Sequence, residues 1–235
     1  MLFQTKLLKA KLIRRYKRFL ADIQFCNGNE VTAHCPNTGS MLGLQEKGMK
    51  IWVEPNNDPL KKLSFGWRLT ELGDGTQICI DTNIANKIIR EALLARTIKN
   101  LSAYHTLKAE VSIGNKSRID FGLYNKLNDL ETLVEVKSVT LKRKLGYAEF
   151  PDSISERGRR HLDELSLFAK KKGKRAVLLF LVQRADCERF RVAEDIDPEY
   201  AKAYYRAKQN GVEIRCLTTN VNPKGIYLDR ELVLD

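Results

Sequence analysis

This chain of 235 residues has few of the side chains that build thiolate, disulfide or imidazole sites. Its five cysteines, at 26, 35, 79, 187 and 216, are odd in number, scattered, and never spaced Cys-x-x-Cys. That argues against a disulfide framework or a zinc site and for free buried thiols. The three histidines show no metal-ligand spacing. The longest apolar run, residues 176–182, is too short to cross a bilayer and reads as a buried strand. Residues 1–6 reach lysine before a signal core can form, and no lipidation motif is present. The expectation is a cytoplasmic protein with no membrane partner. A Gly-x-Ser-x-Gly elbow and a Rossmann glycine string are also missing. Gly114-Asn115-Lys116-Ser117 lacks the upstream glycine and the Gly-Lys pair of a phosphate-binding loop.

Acid is missing too, from the first 21 residues. That stretch holds Lys6, Lys9, Lys11, Arg14, Arg15, Lys17 and Arg18 before Asp22 appears. Over the chain, 41 basic residues face 29 acidic ones, for a formal charge of +12. Such a balance favours a polyanionic partner, and nucleic acid is the commonest. Arg14, Arg15, Lys17 and Arg18 are the first candidates for phosphate contacts, with Tyr16 and Phe19 as stacking surface. A solvated basic edge strand is the equally weighted alternative. Arg157, Arg160, His161 and Glu164 recur at helical spacing, so Arg157 and Arg160 form a second candidate set. For any one of them, a solvated helix face is the plainer reading.

Apolar runs at residues 7–13, 18–25, 31–35, 50–53, 67–71 and 77–80 alternate with turn signals, a rhythm that predicts a small barrel. In His34-Cys35-Pro36-Asn37-Thr38-Gly39 the last four residues predict a structural turn, with Gly39 free to take positive φ. After residue 80 the period changes. Asp81-Thr82-Asn83 can cap a helix over 84–98, with Ile84, Ile88, Leu93, Leu94 and Ile98 largely on one side. Strands at 107–113, 117–124 and 131–139, a helix over 153–172, a strand at 176–182, a helix over 197–210 and a strand at 212–217 follow. The expected division is 1–80 and 81–235.

One arrangement carries chemistry. Asp120 lies in Ser117-Arg118-Ile119-Asp120-Phe121, and Glu135 and Lys137 lie in Leu133-Val134-Glu135-Val136-Lys137. Both strands alternate with period two. The first is expected to bury Ile119 and Phe121 together and turn Asp120 away. Paired, the strands would bring two carboxylates and an ammonium to one patch. Two hard oxygen donors suit Mg2+, and a lysine can steer water and stabilise charge on a phosphate. The spacing alone favours a plain cross-strand Lys–Glu pair on a solvated face, and it is the surroundings that shift the balance toward a site.

The motifs in combination resemble those of the bacterial sugar fermentation stimulation protein A (SfsA) family. They are residues 12–22, His34-Cys35-Pro36-Asn37-Thr38-Gly39, Ser117-Arg118-Ile119-Asp120-Phe121, residues 135–141, and Phe150-Pro151-Asp152 through His161-Leu162. The resemblance spans nearly the whole chain. It implies an N-terminal OB-fold-like nucleic-acid-binding barrel and a C-terminal restriction-endonuclease-like (PD-(D/E)xK) α/β domain. The acidic and lysine positions of that superfamily fall on Asp120, Glu135 and Lys137, with Ile119 where its nickname has proline. Further expectations are Mg2+ held by Asp120 and Glu135, with Glu110 as an added ligand. The family is described as non-specific DNA-binding proteins with a proposed regulatory role in maltose metabolism. A nuclease and a non-catalytic regulator therefore both stand as expectations.

Overall fold

The computed structural model describes residues 1–113 and 117–235; of the string 114–117 only Ser117 lies within it. The N-terminal strands are β1 (Leu8–Tyr16), β2 (Leu20–Phe25), β3 (Glu30–His34), β4 (Lys50–Pro55), β5 (Phe65–Glu71) and β6 (Gln77–Cys79). They hydrogen-bond in the order β3-β2-β1-β4-β5-β6, and a parallel β3–β5 contact at His34 and Gly66 closes β1 to β5 into a five-stranded OB barrel. Alternate residues such as Leu12, Ile23, Ile51, Val53 and Trp67 point inward and fill it. A bulge between Leu12 and Arg14 bends β1. The β1–β2 turn places Lys17 and Arg18 at φ 48° and 65°, left-handed values more usual for glycine or asparagine. Hydrogen bonds support this turn: Arg15 Nη2 donates to Arg18 O, and Arg18 Nε donates to Thr38 O.

The second unit follows with α1 (Thr82–Leu94), β7 (Thr106–Ile113), β8 (Ser117–Tyr124), β9 (Leu130–Val139), β10 (Leu141–Lys144), β11 (Gly146–Phe150), α2 (Glu156–Ala169), β12 (Arg175–Val182), β13 (Cys187–Val192), α3 (Pro198–Gln209), β14 (Glu213–Asn222), β15 (Gly225–Glu231) and β16 (Val233–Leu234). Its main sheet runs β15-β14-β12-β9-β8-β7. β12 lies parallel to both β9 and β14, and the flanking pairs are antiparallel. α1 packs on one face with Phe121, Val134, Val136 and Leu179. Residues of α2 and α3 pack on the other with Ile119, Leu133, Leu178 and Phe180.

Asp81 caps α1 by accepting from Asn83 N, as its position suggests. The helix ends at Leu94 and not at 98, because Arg96 turns left-handed at φ 57°. Leu94 is therefore 52% exposed, while Ala85 and Ile89 join the buried face. α2 starts three residues later than expected, after Ser155 accepts from Gly158 N. The four-stranded sheet β10-β11-β13-β16 and the edge strand β15 add to the elements expected from the sequence. Their sequences, such as Leu-Lys-Arg-Lys and Cys-Glu-Arg-Phe-Arg-Val, hold too few apolar residues for a period-two signal.

The two units share a seam. Leu7, Leu69 and Cys79 of the barrel region belong to the core under α1. Gln183 Nε2 donates to Cys79 O, Asp81 O and Ser138 Oγ, and Thr82 Oγ1 donates to Pro36 O at 3.1 Å. At Gly39 a Cβ would come within 2.9 Å of Asp152 Cγ and closer to its oxygens. Gly39 does not take positive φ, so its expected role is corrected: close approach, not a left-handed turn, requires glycine there.

Candidate active site

The site forms where two strands part. β8 and β9 pair in register up to Phe121 opposite Val134 and then stop. At the next position the Asp120 side chain occupies the gap: its Oδ2 accepts from Val136 N at 2.8 Å, and its Oδ1 accepts from Asn86 Nδ2 on α1 at 2.6 Å. The side-chain alternation changes phase at this residue. Ile119 packs in the α2/α3 core and Phe121 in the α1 core, so the two do not share a face as expected.

On β9 the alternation holds. Val134 and Val136 enter the α1 core, and Glu135 and Lys137 project toward α2. Glu135 is 2% exposed; its Oε1 accepts from Lys137 Nζ at 2.6 Å and bonds His161 Nδ1 of α2. Its Oε2 is buried with no partner. Arg157 Nε donates to His161 Nε2 at 3.4 Å, an arrangement that leaves Nδ1 to carry the hydrogen directed at Glu135. Burial, followed by the neighbouring Glu135 charge, pushes the Asp120 carboxyl up to about 6. Burial also pushes Glu135 upward, but Lys137 and His161 outweigh it and hold Glu135 below its ordinary value. Glu135 is thus the fixed anion and Asp120 the group that takes a proton first.

Lys137 therefore pairs with Glu135, and the Asp120 carboxyl lies near enough to feel the charge of both. Glu110 does not join them. It falls at the register position opposite Asp120 within β7, but it takes a left-handed φ of 54°, and its side chain is exposed. The expectation of a ligand at Glu110 is corrected accordingly. Of the expected DNA contacts, Arg15 serves the fold: its guanidinium bonds Gln45, Arg18 O, Asn37 O and Gly39 O. Arg14 is exposed but paired with Asp22 at 2.8 Å. Lys17 is exposed at the hairpin tip. Arg18 and Arg157 line a cleft of about 370 Å³ that also exposes Asn86, Lys137 and Ser138 between the two units. Arg160 lies apart from it, on an outer surface shared with Arg159, Arg206 and Glu199. Asn86 is not expected in the site from the sequence, whereas His161 belongs to the polar helical set of Arg157, Arg160 and Glu164 that could face the carboxylate patch. A histidine four residues after Arg157 on a helix, and an asparagine beside Ala85 on an apolar face, were the signals available.

The donors suit a hard divalent cation. Two carboxylates lie close enough for one charge to act on the other, and a buried carboxylate oxygen lacks a partner. Among the described residues no group of three His, Cys, Asp or Glu assembles, so protein ligation would be sparse. Mg2+, which keeps several waters, tolerates that.

An OB barrel joined to an α/β domain with a paired-carboxylate, lysine-bearing site defines the class. Family models match both parts: an SfsA N-terminal OB domain over residues 13–80 and a sugar fermentation stimulation protein RE domain over 83–225. The chain belongs to the SfsA family. It is 54% identical over 228 residues to a sugar fermentation stimulation protein homolog of Ruegeria pomeroyi, covering 97% of this chain and 98% of that one. A homolog from Pseudoalteromonas atlantica is 44% identical over 233 residues, covering 99% and 98%. Among solved structures, that of Pyrococcus furiosus SfsA in complex with Ca2+ superposes with a TM-score of 0.89 at 27% identity, covering 100% of this chain and 98% of that one. No helix is long and apolar enough to cross a membrane among the described residues.

Proposed function

We propose that this protein binds DNA without sequence preference and hydrolyses phosphodiester bonds at Asp120, Glu135 and Lys137 with Mg2+. The observation that carries the reading is the buried, partnerless Oε2 of Glu135 beside the Asp120 carboxylate. Burying an oxygen without a partner costs stability and fits a site built for a cation. Asp120 and Glu135 would hold the ion. When bound, the ion would supply Lewis-acid polarisation of the phosphate and a more acidic water. The Pyrococcus furiosus relative, described in complex with Ca2+, supports a divalent cation in this family.

The chain's own groups supply the rest. His161 and Lys137 orient Glu135 through Oε1 and leave Oε2 free to ligate. The Lys137 ammonium sits where it can steer the attacking water and stabilise charge accumulating on the phosphate. Asn86 and Val136 N fix Asp120. Arg18 and Arg157 flank the cleft and offer charge to the backbone of the nucleic acid. Five free cysteines suit the reducing cytoplasm as the working compartment.

A second reading is a non-catalytic DNA-binding regulator of sugar metabolism, including maltose metabolism. It is favoured by the sparse ligand set and by the Lys137–Glu135 pair, which satisfies the lysine without a substrate. Calorimetric titration with Mg2+, Mn2+ and Ca2+ separates the two. The nuclease reading expects a site lost in Asp120→Asn; absence of binding in the unaltered protein leaves the regulator.

A further inference from the structure

A second hollow, of about 920 Å³, lies beside the cleft, between the N-terminal segment, the barrel and α1. We propose that it takes an unpaired nucleobase, so that the strand engaged at the carboxylate site is single-stranded DNA. The inference rests on the DNA-binding reading above and names the form of nucleic acid.

The walls of the hollow are aromatic and apolar: Phe3, Phe19, Leu63, Phe65 and Ile84. Phe19 is 48% exposed, so its ring face is open to a ligand. The rim carries Lys61, Lys62 and Lys87, which form no ion pair among the described residues. The floor is acidic on balance. Arg68 bridges the buried carboxylates of Glu54 and Asp81, two anions to one cation.

This polarity fixes how a ligand would sit. An acidic floor turns phosphate away, whereas the lysine rim attracts it. An aliphatic chain would have to bury its end against a charged network. A nucleotide satisfies every layer: its flat base lies on phenylalanine, and its phosphate stays at the rim. A base paired within a duplex cannot enter, so the site selects an unpaired one.

Position links the hollow to the cleft. Both are bordered by the same three segments: Arg18 and Phe19, Pro36 and Asn37, and residues 82–86. Thr82 Oγ1 donates to Pro36 O and ties two of these segments into a ridge. A strand crossing that ridge would pass from Lys137 over Arg18 to Phe19.

The test uses fluorescence anisotropy of the full chain in EDTA, with a labelled oligothymidylate of roughly 15 nucleotides and a duplex of equal length. The expected result is tighter binding of the single strand, weakened at least about five-fold by Phe19→Ala, with duplex affinity unchanged within about two-fold. Lys61→Gln with Lys62→Gln is expected to weaken the single strand selectively as well. Equal losses for both probes, no loss with either variant, or preference for the duplex would overturn the inference while leaving DNA binding intact. If neither probe binds at low salt, the DNA-binding reading itself falls, and this inference with it. Matching thermal midpoints for variants and parent exclude misfolding, and Phe19, being exposed, can be removed without opening the core.

Discussion

The Asp120 carboxylate accepts the Val136 N–H at 2.8 Å and occupies the gap left where β8 and β9 stop pairing. A backbone donor that a regular ladder would have satisfied is answered instead by an anion buried beside Glu135. The substitution of ladder by carboxylate builds the site, and it carries a stability cost with a definite pH signature.

Because Asp120 is raised to about 6 in the folded chain, its neutral form stabilises the fold. That contribution is full below the unfolded value near pH 4 and is lost as pH rises through 6. Asp120→Asn, with Asn86 turned to present its oxygen, escapes the loss. In EDTA, urea unfolding at pH 8 is expected to show the variant about 1–3 kcal/mol more stable than the parent, with the gain fading by pH 4. A variant destabilised at both pH values would show that the carboxylate is structural.

His161 is expected to act through Glu135. His161→Ala frees Oε1 to rotate and should weaken Mn2+ binding roughly 10- to 100-fold, the usual range for a residue that orients a ligand. His161→Gln, which can still donate from its amide, should recover part of that loss. Calorimetry reads both. Unchanged affinity in His161→Ala would place the histidine outside the site's working parts.

Arg15 and Arg18 should separate, although the chain presents them in one basic run. Arg15→Ala removes the bonds to Asn37 O and Gly39 O and is expected to lower the thermal midpoint. Arg18→Ala gives up a single exposed bond to Thr38 O, so it should lower the midpoint less than Arg15→Ala and weaken DNA of unrelated sequences alike. For the parent, binding should fall about 10³-fold or more between roughly 50 and 200 mM salt if about six phosphates are contacted. Salt-insensitive binding would refute the phosphate-contact account.

Gly39→Ala should destabilise the seam by about 1–3 kcal/mol, because the new methyl meets the Asp152 carboxylate. Pairing it with Asp152→Ala should restore most of the loss, which a double-mutant cycle in urea measures. Additive losses would mean that the two residues do not conflict.

The parts of this molecule that were legible in its sequence are those whose residues alternate or cycle against a core. The barrel strands, α1, β8, β9 and β12 announce themselves in this way, and Glu135 with Lys137 follows from β9's alternation. For Asp120 the alternation holds only in part. Period-two reading put Ile119 and Phe121 on one face, but the chain changes phase between them, and that change is what admits the carboxylate to the gap. Nothing in the local sequence marks a phase change, because the N–H that receives the carboxylate belongs to Val136, 16 residues on in the neighbouring strand. Glu110 and Arg160 illustrate the converse. Each has the right chemistry near the right motif, but the backbone turns one outward and the helix carries the other to a different surface. The basic run from Lys6 to Arg18 showed its charge but not its division of labour, since the acceptors for Arg15 lie more than 20 residues away.

Cutting of phosphodiester bonds by Asp120, Glu135 and Lys137 with a divalent ion can be read directly from product. The most direct measurement follows end-labelled single- and double-stranded oligonucleotides incubated with the protein in Mg2+, Mn2+, Ca2+ or EDTA. The account expects products in Mg2+ or Mn2+ and none in Ca2+ or EDTA. Cleavage should drop at least about 10²-fold in Asp120→Asn, Glu135→Gln and Lys137→Ala, with Lys137→Ala still binding the ion. Intact substrate in every metal, or cleavage that survives Asp120→Asn at the parent's rate, would contradict it.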